Sequence, residues 1–160
     1  GVETAVSHKA DGVVFGAIQD NRLDMQTMRQ LVNAAHAHGL KTTCHRAFDA
    51  ATNPHETVEM LIDLGVSRVL TSGTPWGSRQ PVLAGVPLLA EIIQQASSRI
   101  EIVLGGGIQI GNVGRLLSQL PLETGSLSVH AYSSVLHSGV TDLEMVTQLV
   151  AAANQNESKD

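Results

Sequence analysis

Within nine residues, Lys41-Thr42-Thr43-Cys44-His45-Arg46-Ala47-Phe48-Asp49, a short β-rich run gives way to an imidazole, a guanidinium and a carboxylate. His45 is of the type that moves a proton, and Arg46 of the type that orients an oxyanion through its planar fork. Asp49 joins them as a third candidate catalytic group. A strand that delivers titratable groups just before its βα turn is how parallel α/β proteins present chemistry at one rim of the sheet. The plain alternative is a strand end with solvated polar side chains. The density of such groups, with more at the ends of neighbouring strands, favours a site.

Three further groups belong to this set. Gly105-Gly106-Gly107 falls between a strand and a helix, where glycines let backbone N–H groups approach an anion; a tight turn needing positive φ is the other reading. His130, flanked by Val129 and Ala131 within the last strand, is a second imidazole, a proton-transfer group or metal ligand if it shares a cavity with His45, and a core histidine otherwise. Thr71 and Ser72 can donate hydrogen bonds to a ligand, or cap the turn before Gly73. No third metal ligand is identified, so no metal-ligating residue is named. The glycines do not have the spacing of a dinucleotide fingerprint, and there is no nucleophile elbow, zinc helix, P-loop or Cys-x-x-Cys pair. His36 and His38 suit a helix end, and His8, His55 and His137 read as surface residues.

Alternating strands and helices must position these residues. Strands are expected over Gly12–Ile18, from Lys41, over Arg68–Gly73, over Ile100–Leu104 and over Ser126–Ser134. Between them lie amphipathic helices. One is capped by Asp24, carries Met28, Leu31, Val32 and Ala35 on one face, and ends at Gly39. The next opens at Asn53-Pro54 with Glu56 behind it, and Gly65 stops it. Leu88 to Ala96 and Leu116 to Leu120 follow. Thr141-Asp142 caps a last helix with Leu143, Val146, Leu149 and Val150 inward, and a polar tail runs over 154–160. Gln19 to Leu23 is a polar loop, and Thr74 to Gly85 is a Gly/Pro-rich loop carrying Trp76. No hairpin signal separates the strands. The repeating βα unit means an α/β fold with a parallel sheet and right-handed crossovers. It is either an open doubly wound sheet or part of a (β/α)8 TIM-type barrel.

The 160 residues suit a single domain with a core over 11–153. Net charge is −5, with no Lys/Arg run, and aromatics are 2%, which argues against nucleic acid as a partner. No apolar run is long enough to span a bilayer, so no membrane partner is expected. Cys44 is the only cysteine, which excludes an intrachain disulfide and suits a reducing, cytoplasmic compartment. The chain begins at Gly1 without Met, so an upstream segment is expected.

Cys44-His45-Arg46-Ala47-Phe48-Asp49, Arg68-Val69-Leu70-Thr71-Ser72-Gly73 and Gly105-Gly106-Gly107-Ile108, in this order and preceded by Asp11-Gly12-Val13-Val14-Phe15-Gly16, resemble the CutC family of copper homeostasis proteins. The resemblance implies a (β/α)8 barrel of which the five strands here are the fourth to eighth. It implies copper as the cofactor or cargo, with the family's proposed copper-binding cysteines in the part without counterpart here. It leaves open a different class of function: a barrel enzyme for a small phosphorylated or carboxylated metabolite. There Gly105 to Gly107 hold the anion, His45 moves a proton and Arg46 orients an oxyanion. A third reading is a short form that only associates with full-length partners.

Three expectations follow. Position 44 is usually a large apolar residue in the family, so Cys44 should face the helices, buried and inert, with Thr43 and His45 on the barrel interior. Copper binding should then be weak or absent, since Cu(I) prefers thiolates. Five of eight strands leave two edges, Gly12–Ile18 and Ser126–Ser134, without the Pro or Lys that protects natural ones; the chain should fold poorly, or self-associate as a homo-oligomer.

Overall fold

The computed structural model describes residues 1–155. In chain order the regular elements are α1 (Val2–Ser7), β1 (Gly12–Phe15), β2 (Ile18–Gln19), β3 (Arg22–Leu23), α2 (Met25–His36), β4 (Lys41–Cys44), α3 (Pro54–Asp63), β5 (Arg68–Thr71), α4 (Val86–Ala96), β6 (Glu101–Leu104), α5 (Ile110–Leu117), β7 (Leu127–Val129), β8 (Leu136–His137), β9 (Val140–Thr141) and α6 (Leu143–Asn154). The helix starts follow their caps. Asp24, Asn53 and Asp142 accept from the backbone N–H groups of Thr27, Glu56 and Met145 at 3.0, 3.2 and 2.9 Å, satisfying donors that a first turn leaves open.

The sheet runs β1-β4-β5-β6-β7, all parallel. This is simple sequence order. A doubly wound sheet reverses its strand order partway, so the winding is that of a (β/α)8 barrel and the doubly wound alternative falls away. The barrel is not closed: among the described residues β1 and β7 are each paired on one side only.

Alternation along the strands separates two faces. Cys44, Val69, Ile102 and Leu104 point to the helices and are buried with Met28, Val58, Leu61, Leu89, Ile92 and Leu116. Each such large side chain contributes roughly 1.5–3 kcal/mol by leaving water. The other face carries Thr43, Arg68, Leu70, Glu101 and Val103, all only partly buried, and at its β1 edge Val14 is 65% exposed. The core is therefore one-sided, between sheet and helices.

Several expectations are corrected. The strand expected over Gly12–Ile18 stops at Phe15, and Ile18–Gln19 instead pairs with Arg22–Leu23 in a hairpin. A second hairpin joins β8 to β9. Both turns, Asp20-Asn21 and Ser138-Gly139, have positive φ throughout, the two-residue geometry that matches strand twist. The strand expected over Ser126–Ser134 is Leu127–Val129 alone. Its partner β6 breaks at the glycines, so the ladder ends with the His130 N–H donating to the Leu104 carbonyl at 2.8 Å, and His130 lies just past the strand. Finally, Leu143 and Val150 of α6 do not face inward; they are 80% and 53% exposed. α6 follows the edge strand, and nothing beyond it covers that stripe among the described residues. Asn154 ends α6 rather than opening a tail, and 156–160 lie outside the described residues. No helix among the described residues is long and apolar enough to cross a membrane.

Candidate functional site

β4 ends at Cys44, and the residues after it form a tight 3-10 turn, Arg46–Ala50. His45 starts that turn: its Nδ1 accepts the Ala47 N–H at 3.1 Å, and its own N–H donates to the Phe15 carbonyl, extending the β1–β4 ladder. Only Nε2 of the ring is left for other chemistry. Gly16 makes room for the ring, since a Cβ there would lie 2.8 Å from the imidazole.

The turn brings Arg46 and Asp49 together. Asp49 is almost wholly buried, its side chain 2% exposed, and it accepts from Arg46 Nε at 2.7 Å. It also accepts from the Thr71 hydroxyl and from the Ser72 N–H and hydroxyl, the last at 3.1 Å. Arg46 Nη2 donates to the Ser72 hydroxyl at 2.9 Å. The Trp76 ring centre lies 5.3 Å from the guanidinium carbon, a cation–π distance. The Trp76 backbone N–H donates to the Asp49 carbonyl at 2.8 Å. The guanidinium is thus held on two nitrogens and one face. Nη1 has no hydrogen-bond partner among the described residues, and it faces Gly106, where a Cβ would come within 2.8 Å of it.

Two clefts meet at Arg46 and Leu70. One, of about 250 Å³, is bordered by Arg46, Gly106, Gly107 and His130. The other, of about 470 Å³, is bordered by His45, Arg46, Leu70 and Trp76 with Ile18, Ala47 and Ala50. Of the residues expected to act together, His45, Arg46, Gly106, Gly107 and His130 reach this place, with the two imidazoles in adjacent clefts. Thr71 and Ser72 are buried beneath it, their hydroxyls engaged with Asp49, Arg46 and the Gly73 N–H. Gly105 lies in the ladder, its N–H donating to the Thr71 carbonyl at 3.0 Å. Sequence reasoning assigned no role to Trp76, Leu70 or Gly16. The one signal available was the position of the only tryptophan in a loop rich in glycine and proline.

Cys44 is on the opposite side. Its side chain is fully buried among core residues, and burial pushes the thiol up to about 12. No group of three or more His, Cys, Asp or Glu side chains suited to a metal ion occurs among the described residues.

The sequence profile of the CutC family matches residues 1–135. The family protein CutC of Parabacteroides distasonis is 38% identical over 130 residues, covering 81% of this chain and 49% of that protein. CutC of Vibrio cholerae is 37% identical over 130 residues, covering 81% of this chain and 48% of its own length. The chain thus spans about half the length of the curated relatives it matches. The crystal structure of CutC from Streptococcus agalactiae, which carries the name of a copper homeostasis protein, superposes with a TM-score of 0.69 at 25% identity, over 79% of this chain and 60% of that one.

Proposed function

The chain belongs to the CutC family, and from that premise we propose that it carries a small-anion site for a phosphorylated or carboxylated metabolite, centred on Arg46. The observation that carries this reading is the way Arg46 is held. Two of its nitrogens are spent on Asp49 and Ser72 while Nη1 is turned toward the Gly106-Gly107 loop. A guanidinium fixed by a buried carboxylate, with one edge left open beside glycine backbone, is organised to bind an oxyanion. Asp49 acts as a positioning residue, since its oxygens are already taken. His130 beside the anion and His45 across Arg46 are the groups able to move a proton. The chemistry fits either an enzyme or a metabolite-binding protein.

Copper handling is the role in the name of the Streptococcus agalactiae relative, and copper binding is the finer reading this chain would inherit. Its donor set does not fit. Cu(I) favours thiolate ligands, whereas the single thiol is buried, protonated and on the helix side, and His45 has one ring nitrogen already engaged. A thiolate copper site would have to draw its ligands from outside these residues.

The test is calorimetric titration of the chain with inorganic phosphate and with acetate, repeated on Arg46→Lys and alongside Cu(I) competition against a chelator. Saturable binding of at least one anion, lost in Arg46→Lys, is expected, with no stoichiometric Cu(I) uptake. Tight Cu(I) uptake abolished by Cys44→Ser, with no anion binding, would replace this reading by the copper one.

A further inference from the structure

We infer that the ligand is amphipathic, an anionic head group joined to an apolar body; this rests on reading Arg46 as the anion-holding group. The two clefts differ in chemistry while sharing Arg46 and Leu70. The smaller has Nη1 of Arg46, glycine backbone and His130 around it and is the size of a phosphate or carboxylate with its near neighbours. The larger, about 470 Å³, falls in the range of small-molecule pockets. It is walled by Ile18, Ala47, Ala50, Leu70 and Trp76, and its only titratable side chains are His45 and Arg46.

Those two groups have little left to offer a polyhydroxylated body such as a sugar. His45 Nδ1 is taken by the Ala47 N–H, leaving Nε2, and two of the three Arg46 nitrogens are taken by Asp49 and Ser72. Most hydroxyls of such a body would lose water there without recovering hydrogen bonds. A ring or branched aliphatic group loses nothing and covers apolar wall. Trp76 is 61% exposed although its backbone N–H is bonded to the Asp49 carbonyl and its ring packs on Arg46. An indole held in place at the mouth of a cleft, with most of its surface bare, is an anchor for a planar or apolar partner. One methylene in an apolar pocket is worth roughly 10–200-fold, so the body, more than the head, should set specificity.

The experiment compares matched pairs by calorimetry on the full chain: inorganic phosphate with phenyl phosphate, and acetate with phenylacetate. For at least one head group the phenyl member should bind at least about tenfold more tightly. In Trp76→Ala, a surface change that circular dichroism should show to be folded, that preference should fall to about threefold or less. Equal affinity within both pairs, or a preference unaltered in Trp76→Ala, overturns the amphipathic ligand while leaving the Arg46 anion site standing. Failure of all four compounds to bind overturns the anion site and this inference with it.

Discussion

Asp49 sits under Arg46 with every near neighbour a donor: the Arg46 guanidinium, two hydroxyls and a backbone N–H. Replacing it by asparagine keeps the shape but removes the charge and turns an NH2 group toward donors. Removing one partner of a buried pair costs about 3–5 kcal/mol. Asp49→Asn should therefore lower the unfolding free energy by about 3 kcal/mol in a urea titration and abolish anion binding; a loss below ~1 kcal/mol would mean that Arg46 is held some other way. Cys44 makes the opposite case, a reactive group kept silent. Its folded thiol is raised to about 12 by burial, whereas an unfolded thiol ionises near 8.5. Its contribution to stability is complete below pH ~8.5 and is lost as pH rises toward 12. At pH 8 alkylation by iodoacetamide should be slow and follow global unfolding; rapid labelling of the native chain would show an exposed thiolate. The types and spacing of His45, Arg46 and Asp49 were enough to locate this region. The division of labour was not legible, because it depends on Thr71 and Ser72 of another strand end closing on Asp49.

At the level of elements, the β6–α5 loop makes room for Arg46. Gly106 has φ +90°, and a Cβ on it would meet the guanidinium. Gly106→Ala should cost about 1–2 kcal/mol, more than the sub-kcal effect of a compatible glycine substitution, and weaken anion binding about tenfold or more by displacing Nη1. Unchanged binding in a folded variant would detach the loop from the site. β6 also carries Glu101, which pairs with Arg68 at 2.6 Å on the inner face. Burial, the largest influence, pushes its carboxyl up. Hydrogen bonds from Ser128 and Arg68, with the charges of Arg68 and Lys41, outweigh that and hold it below its ordinary value. A depressed carboxylate contributes stability above its unfolded value of about 4.3 and loses it as pH falls through the folded one. Melting temperature should drop on acidification below pH ~4.5, and less steeply in Glu101→Gln. Strand starts and helix caps were legible because Asp24, Asn53, Asp142 and the glycines act locally. The hairpins were missed because Asp20-Asn21 and Ser138-Gly139 join segments too short to show alternation. α6 was misoriented because periodicity finds an apolar stripe without saying whether anything packs on it.

For the molecule as a whole, the one-sided core leaves two sheet edges and an inner face without a covering layer among the described residues. The inner face is not wholly apolar, with Thr43, Arg68 and Glu101 among its residues, so exposure there costs less than a greasy barrel lumen would. The edges remain, with Val14 bare on β1 and Tyr132, Leu143 and Val150 bare on the β7 side. Unprotected parallel edges recruit further strands. Size-exclusion chromatography should show a dimer or larger species, and Val14→Lys, which places a charge at the β1 edge, should shift it toward monomer. A concentration-independent monomer would mean that both edges are satisfied within the chain. The winding and the incompleteness of the barrel were legible from five βα units in order; where the apolar surface ends up was not, since it depends on what lies beyond β1 and β7. The proposed site holds an anion between Arg46 and the Gly106-Gly107 loop at the C-terminal ends of the strands. Its most direct test is amide and arginine Nε–H NMR on the isotopically labelled chain during titration with inorganic phosphate and acetate. With at least one anion, saturable shifts should concentrate at Arg46 Nε–H and at the amides of Gly106, Gly107 and His130, with Cys44 unmoved. Absence of shifts at those positions with both anions, or saturable shifts confined to another part of the chain, would contradict it.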